Sequence, residues 1–461
     1  MFLQTSALVF KVKRNPPELI APSKQTPHEI KLLSDIDDQN GLRYNLPLVQ
    51  FFPCQPQMTG KDPVGVIREA LAKTLVFYYP FAGRLREAPN GKLMVDCNEE
   101  GVMFIEADAD VTIAQFGNNL VPPFPCFDQL LYDVPGSHGM LDSPLLLLQV
   151  TRLRCGGFIF AIRMNHTMCD GSGICQFLKA LAEIARGATE PSILPTWHRN
   201  LLCARDPPRV TCIHHEYHQL PRDHTSKTTF KPHHHHRSFF FGPKQLSKIR
   251  SLLPHHLAST STSFEILTAC LWRCRTFALM QDHPNQEVRL LCIVNARFGS
   301  CKFNPSLPSG FYGNAFVFPA AVSTVGKLLG SPLGYALELV KKAKNEASEE
   351  FVHSVADLMV TKGRPCFTLS GSFMVSDLTK SGFTDVNYGW GEGLYSGVAM
   401  GGLGDIPGVS FYVPYTNSKG EKGRVVPICL PECAMDRFEK VLDDTFKIKD
   451  NNYSLMLMSN L

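Results

Sequence analysis

The sequence predicts a mixed α/β fold, on three observations. Segments with strand-type and helix-type apolar spacing alternate along the chain without a fixed repeat, which excludes a solenoid. The clearest strands are apolar on both faces, as strands covered on both sides are. The texture changes once, from Ala204 to about Arg237, where Pro207, Pro208, Pro221 and Pro232 stand among polar residues with little hydrophobic period. Two domains of similar size are therefore expected, residues 1–202 and 237–461, joined by a crossover linker at 203–236.

Met1 to Glu18 reads apolar, then alternating through Val9-Phe10-Lys11-Val12-Lys13-Arg14, then Pro-Pro; this predicts a first strand rather than a signal peptide. A helix is expected from Asp62-Pro63, a cap followed by Pro at the first helical position, with Val64, Ile67, Leu71 and Leu75 on one face and an end near Tyr79-Pro80. Leu145 to Leu153 and Phe158 to Met164 read as a central hairpin turned at Arg154-Cys155-Gly156-Gly157. Asn165-His166-Thr167-Met168-Cys169-Asp170-Gly171 follows, then a helix with Ile174, Phe177, Leu178, Leu181 and Ile184 on one stripe, ended by Gly187. Beyond the linker, Ser263 to Ala278 reads as a helix and Val288 to Ala296 as a buried strand. Val409 to Pro414 and Val425 to Leu430 form a hairpin, and Glu432 to Phe446 an amphipathic helix.

Composition narrows the function classes. With 461 residues, 44% hydrophobic and 19% charged, the chain is ordinary globular protein, and a net charge of +4 is too mild for a nucleic-acid partner. The slight positive sign would tolerate a phosphate-bearing ligand. No apolar run approaches the roughly 20 residues of a membrane span. Fifteen cysteines without a CxxC pair point to a reducing compartment and no disulfides. Ser459-Asn460-Leu461 loosely echoes the Ser-Lys-Leu peroxisomal address; the expected location is the cytoplasm, with the peroxisome as alternative.

The first chemical candidate is His166, held at the end of a buried strand. A general base needs that rigidity, because a proton is taken only within hydrogen-bond reach. The alternative is a core histidine beside an Asp170 that caps the next helix. Asp170 either orients His166, as the acid of a triad does, or pairs with an arginine to shape the loop, for which Arg297 is the partner. No GxSxG elbow exists, and Cys169 and Ser172 read as a buried thiol and a helix-start hydroxyl rather than nucleophiles. His214, His215, His218 and the run His233 to His236 lack HExxH spacing and lie in the Pro-rich crossover, so no metal is expected. Gly397, Gly401, Gly402 and Gly404 read as a loop, not a dinucleotide site.

A second cluster, Asn387-Tyr388-Gly389-Trp390-Gly391, places one of only three tryptophans between two glycines. With His166-Thr167-Met168-Cys169-Asp170 it resembles the plant BAHD acyltransferase family, marked by HxxxD and a downstream DFGWG. Tyr79-Pro80-Phe81-Ala82-Gly83-Arg84, Ser263-Phe264-Glu265 and Phe311-Tyr312-Gly313-Asn314 look like the family's YPLAGR, SFE and YFGN. Pro17 to Pro22, Leu33-Ser34-Asp35-Ile36-Asp37 and Phe158 to Ala161 are similar to the alcohol acyltransferase branch that contains benzyl alcohol O-benzoyltransferases. The chain departs from the family at Asn387, where Asp is usual, and at Tyr388, where Phe is.

The resemblance implies two chloramphenicol-acetyltransferase-like domains, with mixed sheets flanked by helices and a substrate channel at their interface. It implies a monomer that binds no resident cofactor, takes acyl-CoA as co-substrate and has an alcohol as its other small-molecule partner. Carried over, His166 is the base, Asp170 pairs with Arg297 beside Gly171, and the Asn387–Gly391 loop shapes the channel wall. Ser263 and Trp390 are the candidate CoA contacts. The expected reaction is benzoyl transfer from benzoyl-CoA to benzyl alcohol, giving benzyl benzoate, through a ternary complex. Oxyanion donors are not identified beyond the Trp390 indole and nearby hydroxyls. Other acyl-CoAs and alcohols are the alternative within the family. Outside it stand a carrier-protein condensation enzyme, against which Asn165 replaces the extra His, and an inactive acyl-CoA- or protein-binding relative.

Overall fold

The alternating segments form two mixed seven-stranded sheets and two short ones in the computed structural model, which describes residues 2–3, 8–117, 119–137, 139–218, 234–304, 306–402 and 408–447. The first large sheet grows from the expected hairpin. Leu146–Leu153 and Phe158–Asn165 pair antiparallel, Asn45–Phe52 flanks the second of them, and Val102–Ala109 runs parallel to the first. Both hairpin strands are buried almost throughout, which accounts for their unbroken apolar text. Pairing with Asn45–Phe52 ends at Asn165 opposite Asn45. The next residues outward, His166 and Tyr44, therefore meet, and the His166 N–H donates to the Tyr44 carbonyl at 2.9 Å.

Two helices flank this sheet. Pro63–Phe77 starts where Asp62 accepts from the N–H groups of Val64 and Gly65, and Gly171–Ala185 where Asp170 accepts from Gly173. Each such cap stabilises its helix by about 1 kcal/mol. The two helices pack on each other, and the first lies against Leu146–Leu153.

The second large sheet holds the other expected hairpin, Val409–Thr416 with Lys422–Pro431, extended by His234–Phe241 on one side and by Ser372–Asp377, Glu287–Cys292 and Ala320–Thr324 on the other. Ser263–Met280, buried on nearly all sides and opened by a Thr262–Glu265 capping box, packs with Leu333–Glu346 and Glu432–Lys447 behind it.

Each sheet also recruits a strand from the opposite half of the chain. Tyr395–Val398 pairs with Asn45–Phe52, and Phe2–Leu3 pairs with His234–Phe241. The expected single N-terminal strand is thus replaced by short strands in different sheets, Phe2–Leu3 in one and Val12–Arg14 and Glu18–Ile20 in the other. Pro16 and Pro17, which lack an N–H, interrupt the latter two. Gly397, expected in a loop, lies inside Tyr395–Val398, because ladder bonds to a neighbouring strand outweigh the weak strand propensity of glycine. His234 to His236, expected in the linker, open a strand for the same reason, paired with Cys429 to Pro431. His233, Gly404, Pro221, Pro232 and the Ser459–Leu461 tripeptide lie outside the described residues.

None of the fifteen cysteines is in a disulfide. Among the described residues, no helix is long and apolar enough to cross a membrane. The larger of two core clusters draws on both halves, joining Leu48 and Phe160 to Phe316, Phe318 and Trp390.

Candidate active site

His166 borders a cavity of about 80 Å³ whose walls come from both halves of the chain. Tyr44, Leu46, Leu48 and Ile174 contribute from one side, and Phe316, Phe318, Phe367, Met374, Ser376 and Phe411 from the other. The wall is overwhelmingly apolar and aromatic. The imidazole lies between the rings of Tyr44 and Phe316, at centroid distances of 5.2 and 6.0 Å. Burial lowers its pKa below the ordinary 6.5, outweighing Asp170, Asn314 and its own carbonyl, which favour the charged ring. At neutral pH the ring is uncharged and has a lone pair to offer.

Asp170 does not reach His166. Its Oδ2 accepts from Arg297 Nη1 at 2.6 Å and from the Ala315 N–H at 3.0 Å, and its Oδ1 accepts from the Gly173 N–H at 2.9 Å. The carboxylate is both helix cap and ion-pair partner, and the triad alternative has no hydrogen bond to support it. Arg297 spends its second Nη on the carbonyls of Gly313 and Phe311, at 2.6 and 3.3 Å. The pair therefore pins the start of the Gly171–Ala185 helix to the Phe311–Ala315 segment of the opposite half.

The neighbouring nucleophiles are spoken for. Burial pushes the Cys169 thiol well above its usual range, and Ser172 Oγ accepts from Asn295 Nδ2 at 3.1 Å. Farther off, His214 lies between Glu216 and Ser354 at 3.0 and 2.8 Å, an arrangement with the outline of a triad. Ser354 Oγ already accepts from the N–H groups of Thr211 and Cys212, and all of it is buried, so it braces the chain entering the crossover. Among the described residues no group of three or more His, Cys, Asp or Glu is arranged to hold a metal.

The Asn387–Gly391 loop sits elsewhere on the same sheet. Asn387 Oδ1 accepts from the N–H groups of Gly389 and Gly391 at 2.8 and 2.9 Å, and both glycines have positive φ, 112° and 79°, conformations that exclude most side chains. Tyr388 OH donates to Gln50 Oε1 at 3.1 Å, and its ring stacks on Phe160. Trp390 packs edge-on against Phe158 at 5.3 Å. Phe158 is seven residues from Asn165 along an extended strand, roughly 23 Å at about 3.3 Å per residue, so the Trp390 indole is not an oxyanion donor beside His166. Neither Trp390 nor Ser263, the first residue of its helix, lines the cavity.

Sequence reasoning missed a second buried network behind His166. Asp37 Oδ1 accepts from Arg199 Nη1 at 2.7 Å and from the Asn314 backbone N–H and Nδ2 at 2.9 and 2.8 Å; the Asp37 and Arg199 side chains are 0% and 2% exposed. Arg199 also donates to the Met168 carbonyl, and Asn314 Nδ2 to the His166 carbonyl at 2.8 Å. The available signal was the pair of motifs Leu33–Asp37 and Phe311–Asn314, which carry no role until they are seen together.

The fold thus sets one histidine, His166, on a cavity that both halves of the chain line. A family model described as the Transferase family matches residues 10–445, and the chain belongs to that family, the BAHD acyltransferases, whose members use acyl-CoA as co-substrate. It is an acyl-CoA-dependent alcohol O-acyltransferase. The 13-hydroxylupanine O-tigloyltransferase of Lupinus albus is 63% identical, with 98% of each chain covered. The benzyl alcohol O-benzoyltransferase of Nicotiana tabacum is 60% identical over 98% of each, and that of Petunia hybrida 61% over 96% of this chain and 95% of the relative. Among solved structures, vinorine synthase shares the fold at a TM-score of 0.72 and 20% identity, covering 96% of this chain and 100% of the other.

Proposed function

We propose that the protein transfers the benzoyl group of benzoyl-CoA to benzyl alcohol, giving benzyl benzoate and free CoA, with His166 as general base. The observation that carries this reading is the neutral His166 imidazole opening on a cavity walled by Phe316, Phe318, Phe367 and Phe411, a lining suited to flat aromatic groups. Two relatives at 60 and 61% identity are named for this reaction.

An alcohol is a poor nucleophile at pH 7, so His166 takes its proton as the oxygen attacks the thioester carbonyl, a contribution of roughly 10²–10⁴ in rate. Negative charge gathers on the carbonyl oxygen. Tyr44 and Ser376 are the hydroxyl-bearing residues of the lining and the candidates to meet it. Collapse breaks the C–S bond, and the imidazolium returns its proton to the thiolate. Oxygen, sulfur and proton then balance without a covalent enzyme intermediate, which requires both substrates to be bound together. Asp170 and Arg297 hold the loop; the monomeric state and a cytoplasmic location follow from the family resemblance.

A second reading has one specific observation in its favour: the 63% identical relative is named 13-hydroxylupanine O-tigloyltransferase. The deciding experiment incubates the purified protein with benzoyl-, acetyl- or tigloyl-CoA against benzyl alcohol, hexanol and 13-hydroxylupanine, and identifies the esters by mass. Benzyl benzoate as the fastest product supports the first reading; a lupanine ester formed in preference selects the second.

A further inference from the structure

The cavity beside His166, at about 80 Å³, is about half of the roughly 150 Å³ that holds one benzene ring. An aromatic alcohol and the acyl end of a thioester together need far more, so a wall has to give way. Most of the wall is fixed: Leu46, Leu48, Met374, Ser376 and Phe411 sit on paired strands. Phe367 does not. It lies in residues 362–371, a stretch without helix or strand between the Glu349–Thr361 helix and the Ser372–Asp377 strand.

This stretch is a strap tied down on both sides of Phe367. On one side Arg364 Nε donates to Asp38 Oδ2 at 2.7 Å, and the Arg364 carbonyl accepts from Asn40 Nδ2 at 2.6 Å. On the other, the Thr368 N–H and Oγ1 donate to the carbonyls of Glu216 and His218 at 2.9 and 2.6 Å. Between them the Phe367 ring packs against Gly41, 5.5 Å from the ring of Phe318. The Arg364 tie pairs a fixed partner with a movable one. Asp38 is fully buried and also held by Arg43 at 2.8 Å, whereas Arg364 is 14% exposed and has a φ of 56°, a conformation uncommon outside glycine. Asp35, Asp38 and Glu87 offset Lys92, Arg43 and Arg364 in this corner. With each of these cations paired, the strap offers nothing to the phosphates of CoA and suits the passage of an uncharged alcohol.

We infer that Arg364 and Asp38 latch this strap, and that its release swings Phe367 off the cavity to admit the alcohol. Arg364 is thus a positioning residue for Phe367: latched, it holds the ring against the alcohol and limits the size accepted. The inference rests on the reading of the cavity as the site of acyl transfer.

Amide hydrogen exchange of the full chain, followed on peptides covering residues 362–371, reads the opening directly. In Arg364→Ala this stretch should exchange about tenfold faster or more, since a hydrogen bond between charged partners is lost, while peptides from the Phe158–Asn165 strand keep their rate. Arg364→Lys, which returns a cation to Asp38, should recover much of the protection. In turnover, Arg364→Ala should raise KM for benzyl alcohol and leave KM for benzoyl-CoA unchanged. It should also increase kcat/KM for naphthylmethanol relative to benzyl alcohol by about tenfold or more. Wild-type exchange in Arg364→Ala, or a change in KM for benzoyl-CoA in place of benzyl alcohol, would overturn the latch. Should Arg364→Ala fail to fold, Arg364→Gln, which keeps a donor for Asp38 without the charge, takes its place under the same readings. A strap that opens in an enzyme forming no ester would count against the proposed reaction, not against the latch.

Discussion

Asp170 Oδ2 lies 2.6 Å from Arg297 Nη1, and this pair, 127 residues apart in sequence, fastens the histidine loop of one half to the Phe311–Ala315 segment of the other. The two side chains are 8% and 12% exposed, so removing one partner strands a desolvated charge. Arg297→Ala should lower unfolding free energy by about 3–5 kcal/mol, read by urea denaturation. Asp170→Asn, which keeps the acceptor facing the Gly173 N–H, should lose less. If Arg297→Ala unfolded at the wild-type midpoint, the pair would not be the tie described.

His166→Ala removes the proposed base while keeping the backbone bonds that hold its loop. Its backbone N–H still donates to Tyr44, and its carbonyl still receives Asn314. Ester formation should fall by roughly 10²–10⁴, with circular dichroism and denaturation midpoint near wild type. Turnover close to wild type would rule out the imidazole as the base.

The pH profile has a definite sign. Burial lowers the His166 pKa below 6.5, so the ring stays neutral, and competent to accept a proton, at pH values where a free histidine is already charged. Activity should therefore persist on acidification past 6.5 and decline only as the lower, folded-state pKa is crossed. An acid limb of kcat/KM above 6.5 would contradict a ring dominated by burial.

Asn387 stands where the family usually has Asp, and its geometry predicts that either side chain serves. Both loop bonds end on Oδ1 as acceptor, a service either side chain performs. Asn387→Asp should leave turnover and stability near wild type. Asn387→Ala leaves two loop N–H groups without their acceptor and should cost about 1–3 kcal/mol, measured by thermal or urea unfolding.

Legibility in the sequence tracked the range of the interaction. Asp62 and Asp170 announce their helices because a cap bonds within three residues, and the Leu146–Asn165 hairpin announces itself because its partners are adjacent. The exchanged strands, Phe2–Leu3 and Tyr395–Val398, gave no such sign: their partners lie hundreds of residues away, and glycine at 397 argues locally against a strand. The same divide runs through the site. His166 stood out by its place at a strand end, whereas Asn314, 148 residues on, acquires meaning only where folding sets its amide against the His166 carbonyl. Trp390 misled because sequence pattern gives composition without distance; it belongs to the far end of the Phe158–Asn165 strand.

The aromatic wall offers a test of substrate shape. Phe316, Phe318 and Phe367 follow one another from His166, with centroids 5.0 Å apart for the first pair and 5.5 Å for the second. Phe367 takes its place because Gly41 has no side chain: a Cβ there would collide with the Phe367 ring. Gly41→Ala should therefore drive that ring toward the cavity, which has little volume to give. Flat, bulky groups should suffer more than small ones, because apolar pockets discriminate by about 1–3 kcal/mol per methylene-sized change. The expected outcome is a fall of about tenfold or more in the ratio of kcat/KM for benzoyl-CoA with benzyl alcohol over that for acetyl-CoA with the same alcohol. Phe367→Leu in the same chain should restore the ratio by returning the lost space. An unchanged ratio in Gly41→Ala would mean that this wall does not bound the acyl or alcohol group, and that the aromatic lining does not select the substrate.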